Sequence, residues 1–217
     1  MRKISVGVVG LGKFGLSFAQ ALMDLRQEVV GLDSVPEHVR NAQDILTQVY
    51  QGDAMDRKVL EQLNFADFGV VMVSVGQSIE ASAMISLYLK ELGATQVWVK
   101  AVSQDHHKLL DRIGVDRVIL PEHFAATQLA HSLVTPGLMA CLPFDAGMAL
   151  REITIDKWAG KTLRDLDMTN IHGAQVVAVR RQGESRYTYV PRADVPFEKG
   201  DVMVVLGNTE ALEKIKA

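Results

Sequence analysis

Hydrophobic positions along the chain change their period repeatedly, and the changes mark out its elements. Ile4, Val6, Val8 and Val9 form an apolar strand, and helical spacing follows at Phe18, Leu22 and Leu25. A second strand runs from Glu28 to Leu32, and Pro36 opens a polar helix over 37–44. Thr47 to Tyr50 reads as a short strand and Arg57 to Leu63 as a helix. Gly69 to Val75 is nearly all apolar, as expected of a parallel strand covered on both faces. Ala81, Met84, Ile85, Tyr88 and Leu89 share a helix that Gly93 ends. A strand over 96–100, a helix from Asp105 (as N-cap) to Ile113 and a strand over 117–120 continue the alternation. Strands alternating with helices predict a doubly wound parallel sheet of about six strands.

Beyond Pro121 the pattern changes. Glu122 to Val134 reads as one helix, apolar on most faces through Phe124, Ala125, Leu129, Ala130 and Leu133. Thr135-Pro136-Gly137 breaks it, and Leu138 to Leu142 is a second short apolar piece. Such a helix buries itself either on its own sheet or against a partner subunit. The last third is β-rich, with strands over 150–155, 174–180, 186–190 and 202–206. A short helix at 162–166, turns at 182–184 and 197–201, and a closing helix at 209–215 capped by Asn208 complete it.

The 217 residues suffice for one domain or two with a proper core. A net charge of −3 offers no general attraction to nucleic acid or anionic lipid. Cys141 is the single cysteine, so no internal disulfide forms, which fits a reducing compartment. No run approaches the roughly 18 apolar residues of a membrane span, and the glycine-punctuated start lacks a signal-peptide cleavage site. A cytoplasmic protein is the expectation.

Candidate chemistry lies at the first turn. The apolar strand ends in Gly10-Leu11-Gly12-Lys13-Phe14-Gly15, a helix follows, and the second strand ends on Asp33. Strand, glycine turn, helix, strand and acid form the dinucleotide-binding fingerprint in its full context. Gly10 permits the tight turn, Gly12 lets phosphate oxygens approach bare backbone, and Gly15 lets the helix lie close on the sheet. Free N–H groups at the helix start then hold phosphate. Asp33, roughly 20 residues on, can take both hydroxyls of an adenosine ribose and repels a 2′-phosphate. Phe14 and Ser34 join this set. Ser74, Val75 and Gly76 leave the fourth strand at the edge of the sheet where open α/β folds bind ligands, and Lys100 leaves the fifth. Lys100 either neutralises phosphate there or is an exposed strand-end lysine. The fold class is therefore α/β: a Rossmann-like doubly wound parallel sheet followed by a small α+β C-terminal lobe. Its expected division is 1–135, a helical linker at 136–148, and 149–217.

Val8 to Gly15 resembles the RCK (regulator of K⁺ conductance) domain of Trk/Ktr potassium-uptake regulators. So do Gly52-Asp53-Ala54, Val97-Trp98-Val99-Lys100-Ala101, His106-His107-Lys108 and Leu120-Pro121-Glu122. Arg164-Asp165-Leu166, Val177 to Arg181 and Gly200-Asp201-Val202 look like the C-terminal lobe of that family, TrkA-C. The likeness covers essentially the whole chain, and the single-unit length is closest to the KtrA branch. The resemblance implies a TrkA-N domain and a TrkA-C lobe in a protein that is not an enzyme. It implies a homodimer assembling into an octameric ring beneath a membrane K⁺-translocating subunit of TrkH/KtrB type, on the inner face of the membrane. ATP or ADP is the implied ligand, with NAD(H) in some members and cyclic di-AMP in the C-terminal lobe of several.

The resemblance also assigns roles. Lys13 stands where an arginine commonly reaches a neighbouring subunit's γ-phosphate; lysine keeps the charge and loses the bidentate fork. Asp53 and Ala54 border the adenine. Glu122 matches a glutamate that helps hold Mg²⁺ or another cation across the dimer, though by itself it reads as a helix-start acid. Arg164, Asn170 and Pro191 are candidate edges of the cyclic dinucleotide site. A metal at His106 and His107 is disfavoured, because adjacent helical residues point about 100° apart. The competing reading is an NAD-dependent oxidoreductase, which needs a substrate pocket and a placed acid or base. His172 is the one histidine after residue 150, and the β-rich tail is small for a substrate domain. A DNA-associated sensor would carry a basic face and a winged helix, and neither is legible here.

Overall fold

A computed structural model describes residues 3–75, 78–134, 137–141 and 147–217, with 138–141 as backbone. The chain divides into two units, 1–121 and 122–217. The first contains β1 (Ser5–Val9), α1 (Lys13–Asp24), β2 (Glu28–Asp33), α2 (Pro36–Gln43), β3 (Gln48–Gln51) and α3 (Arg57–Gln62). It continues with β4 (Val70–Val73), α4 (Ile79–Glu91), β5 (Val97–Lys100), α5 (Gln104–Ile113) and β6 (Arg117–Ile119). All six strands are parallel, in the order β3-β2-β1-β4-β5-β6.

Alternation along each strand explains why the sheet is covered twice. Val6 and Val8 of β1 and Met72 of β4 pack with Ala19 of α1 and Ala42 of α2 on one face. Val9, Val71, Val73, Val97 and Val99 pack with Leu60, Ile85, Leu89 and Leu110 from α3, α4 and α5 on the other. Each such side chain contributes about 1.5–3 kcal/mol of transfer free energy, so the central strands need no polar face. A 3-10 turn at Phe65–Asp67, outside the alternating pattern, sets Phe65 beneath β1. The cap of α5 is Ser103, whose hydroxyl accepts the His106 N–H at 3.1 Å; Asp105, expected to cap, lies inside the first turn.

The second unit holds α6 (Pro121–Val134), β7 (Leu138–Cys141), β8 (Met148–Thr154), α7 (Leu163–Leu166) and α8 (Met168–His172). After these come β9 (Ala174–Arg180), β10 (Thr188–Tyr189), β11 (Val202–Asn208) and α9 (Thr209–Glu213). Its strands are antiparallel in the order β10-β9-β11-β8-β7. Three expectations change here. The division falls after Pro121, so α6 belongs with the C-terminal residues. Within the expected helical linker, residues 138–141 form a strand paired with β8, because their apolar run finds an open sheet edge; 135–136 and 142–146 lie outside the described residues. The strand expected over 186–190 is only Thr188–Tyr189, since Val190 turns into the left-handed region at φ +50°.

Asn208 does cap α9, accepting the Glu210 N–H at 3.0 Å. Asp201 is fully buried at the start of β11 and accepts the N–H groups of Gln182 (3.1 Å) and Glu198 (2.9 Å) and the Arg181 guanidinium. One carboxylate thus joins two turns, 182–184 and 197–201, that lie 13 or more residues apart in sequence.

Candidate functional site

The strand order reverses about β1, and the cleft of the first unit opens there, at the carboxyl ends of the strands. Its volume is about 290 Å³. Val9 ends β1, Leu32 and Asp33 end β2, Gly52 to Met55 follow β3, and Ser74 and Val75 follow β4; all line it, with Gly10 and Gly12 at the turn. Of the expected site, Gly10, Gly12, Asp33, Ser34, Asp53, Ala54, Ser74 and Val75 are therefore brought together. Gly76 lies outside the described residues.

The glycines of the turn have different tasks. Gly10 has φ +91°, and a Cβ there would stand 2.6 Å from the Ser74 carbonyl oxygen. Gly15 is buried, and its Cβ would lie 1.9 Å from the Gly10 carbonyl oxygen, so α1 sits directly on the turn. A Cβ on Gly12 would meet only His38 Cε1, at 4.0 Å. The first two are required inside the protein, whereas Gly12 is bare towards the cleft. It is also the N-cap of α1, with no side chain capping it, so the positive end of a 12-residue helix opens beside this backbone.

Asp33 is 9% exposed. Its Oδ2 accepts the Leu11 N–H at 2.6 Å and lies 3.0 Å from His38 Nδ1, while Oδ1 accepts the Val35 N–H at 2.8 Å. The acid thereby holds the glycine turn as well as facing the cleft. A carboxylate offers about four lone-pair sites, and the Leu11, Val35 and His38 contacts occupy three of them. Asp53 Oδ1 accepts the Met55 N–H at 2.9 Å and shapes the turn that carries Ala54.

Lys13, Phe14, Gly15 and Lys100 do not line the cleft. Gly15 is beneath the turn, and the Lys100 ammonium stands 5.7 Å from the Phe14 ring centroid. Lys13, Phe14 and Gly15 belong to the first turn of α1, and Lys100 ends β5. His38 does line the cleft and was not anticipated. Its signal was its place as the third residue of α2, from which a side chain points back over the preceding turn.

Glu122 is exposed in the first turn of α6. Among the described residues no three His, Cys, Asp or Glu side chains gather to hold a metal. His106 is buried, its Nδ1 accepting the Val102 N–H at 3.3 Å, and burial holds its pKa below the usual imidazole value; His107 pairs with Asp111 at 3.5 Å. In the second unit Arg164 and Pro191 line one cavity of about 340 Å³, whereas the Asn170 amide donates to Asp167 Oδ1 at 2.8 Å and is not part of the lining.

A 3-2-1-4-5-6 parallel sheet with a glycine-turn cleft at its switch point, followed by an antiparallel lobe, defines a Rossmann-like protein with an added C-terminal module. Residues 6–121 match the family model of the TrkA-N domain and residues 150–217 that of the TrkA-C domain. The chain belongs to this TrkA-N/TrkA-C family of Ktr and Trk potassium uptake proteins. It is 33% identical over 215 residues to the Ktr system potassium uptake protein C of Bacillus subtilis, covering 99% of this chain and 96% of that one. It is 29% identical over 212 residues to the Ktr system potassium uptake protein A of Vibrio alginolyticus, covering 97% and 96%. These relatives are named as potassium uptake proteins, not as enzymes.

Among solved structures, the GsuK channel shares the fold with a TM-score of 0.64 at 17% identity, and the GsuK channel bound to NAD with 0.57 at 18%. Each match covers 97% of this chain, which spans 38% and 37% of those chains. No helix among the described residues is long and apolar enough to cross a membrane.

Proposed function

We propose that this chain is the nucleotide-sensing regulatory subunit of a potassium-uptake system, working in the cytoplasm against a membrane K⁺-translocating subunit. One observation carries the reading: the bare Gly12 backbone, the uncapped start of α1 and the acid of β2 converge on one cleft, in a chain of the Ktr/Trk family. Helix-start N–H groups suit phosphates, and Asp33 suits an unphosphorylated ribose. ADP, ATP and NAD(H) all meet that description, and the GsuK channel, of the same fold, is known bound to NAD. Binding regulates only if two states of the assembly hold the ligand unequally. An oligomer whose subunits meet near the cleft provides such states, with Lys13 and Glu122 as groups a neighbouring subunit would complete. The cavity edged by Arg164 and Pro191 is the corresponding candidate for a second ligand such as cyclic di-AMP.

Asp33→Ala is expected to lower affinity for ADP and NAD by more than about 100-fold, since the turn loses its tie as well as the ribose contact. Calorimetry of the purified chain reads this, with sedimentation confirming an unchanged oligomer. Wild-type affinity in the variant rules the site out.

The same reading makes α6 an interface. None of its residues is buried, and Leu129 and Leu133 are 70% and 83% exposed. A 14-residue helix this apolar needs a cover, and a second copy of the chain is the proposed one. Leu129→Glu with Leu133→Glu should shift the assembly to monomer in analytical ultracentrifugation while the circular dichroism of the fold is kept. An unchanged mass excludes α6 from the interface.

A further inference from the structure

Resting on the nucleotide reading of the cleft, we propose that His38 is a phosphate-contacting residue of this site and that nucleotide binding takes up a proton there. The first reason is charge. Among the described lining residues the ionisable side chains are Asp33, Asp53 and His38, and no lysine or arginine is present. A polyanion entering two carboxylates' field is opposed unless a cation is supplied. Within the lining, only the imidazole can supply one.

The second reason is orientation. A carboxylate only accepts, so the hydrogen at 3.0 Å between the His38 ring and Asp33 Oδ2 is on Nδ1. The other ring nitrogen, Nε2, is bonded to Cε1, and Cε1 is the atom that stands 4.0 Å from the place of a Gly12 Cβ. The ring edge at Cε1 thus lies beside the turn where phosphate is expected, and Nε2 is the ring nitrogen that does not face Asp33. Neutral imidazole presents a lone pair there, which repels phosphate oxygen; imidazolium presents N–H and attracts it. Phosphate and proton therefore favour one another, and by linkage each raises the affinity of the other.

The third reason is support. The His38 side chain is 40% exposed, so water and ligand reach it, while Asp33 at 9% stays fixed by the Leu11 and Val35 N–H groups and holds the ring in place. The charged groups that line the cleft with it are Asp33 at the end of β2 and Asp53 after β3, and Glu37 and Arg40 share its helix. His38 is a binding and positioning residue in this account, with no part in any reaction.

The test is calorimetric titration of the full chain with ADP, and in parallel with NAD, in two buffers of different ionisation enthalpy, from about pH 8 to pH 6. Wild type should take up a fraction of a proton more than His38→Gln, and the terminal phosphate's own titration cancels in that difference. ADP affinity should rise as pH falls, by up to about tenfold per pH unit for one linked proton, and more steeply in wild type than in His38→Gln. His38→Lys, a permanent cation, should bind well at both ends of the range without the extra proton. Equal proton uptake and equal affinity in wild type and His38→Gln overturn the role of His38 while leaving the nucleotide site standing. If wild type binds neither ADP nor NAD, the nucleotide reading itself fails. Should His38→Gln not fold, the lysine variant still decides: retained pH-linked uptake in it overturns the proposal.

Discussion

Gly15→Ala is expected to unfold the N-terminal unit at conditions where Gly12→Ala leaves it intact. The added methyl at Gly15 would stand 1.9 Å from the Gly10 carbonyl oxygen and 3.3 Å from Ser74 Cβ. Backbone, not a flexible side chain, is in the way. Either α1 lifts from the sheet or the turn shifts, and the turn is pinned by the Gly10 N–H to Leu32 carbonyl bond at 2.8 Å and by Asp33. The cost should reach about 3 kcal/mol or more, the range of overpacking without room to relax. At Gly12 the nearest atom is 4.0 Å away and φ is −64°, so alanine fits, at a cost within about 1 kcal/mol. There the methyl projects towards the cleft, and nucleotide affinity should fall at least about tenfold, a steric loss of about 1.4 kcal/mol. Trp98 fluorescence in a Trp158→Phe background follows urea unfolding of this unit alone. Equal midpoints for the two variants would mean that α1 is not seated on the turn.

Asp201→Ala should be the most damaging single change in the C-terminal unit, at about 3 kcal/mol. The variant leaves the Gln182 and Glu198 N–H groups unpaired, each at about 1–3 kcal/mol, and strands Arg181, which is partly exposed and recovers some hydration. Burial alone would raise the Asp201 pKa, but the Glu198 and Gln182 N–H groups and the Arg181 guanidinium outweigh it and hold the carboxyl below 3.8. A depressed folded-state pKa stabilises fully above the unfolded value. That contribution drains away as pH falls from about 3.8 towards the lower folded value, as the unfolded chain binds the proton first. Unfolding followed by Trp158 in a Trp98→Phe background should show this acid-side loss in wild type and not in Asp201→Ala. A variant as stable as wild type at neutral pH would show that the two turns hold without the carboxylate.

Tying a cleft to an assembly also places demands on its acid. Asp33 both ties the turn and lines the cleft, so under the proposed function occupancy of the cleft bears directly on the loop that starts α1. Under the proposed function, displacing or tightening that bond is the mechanical route from ligand to subunit contact.

What could be read from one dimension was the set of local periods and the chemistry of short turns. Near-continuous apolar strands such as 70–73 announce a sheet covered on both faces, and the spacing of Gly10, Gly12 and Gly15 announces a tight turn with a helix seated close on it, because both follow from backbone sterics over a few residues. Tertiary packing decided the rest. Residues 138–141 pair as a strand because β8 offers an edge, which no local propensity encodes. Ser103 outcompetes Asp105 as a cap by one turn's geometry. His38 and Asp33 meet because α2 folds back over the end of β2, and the Lys100 ammonium stands by the Phe14 ring, outside the cleft lining. Sequence determines which groups are available, whereas which of them share a site depends on strand order and helix direction, and those are set by burial summed over the whole unit.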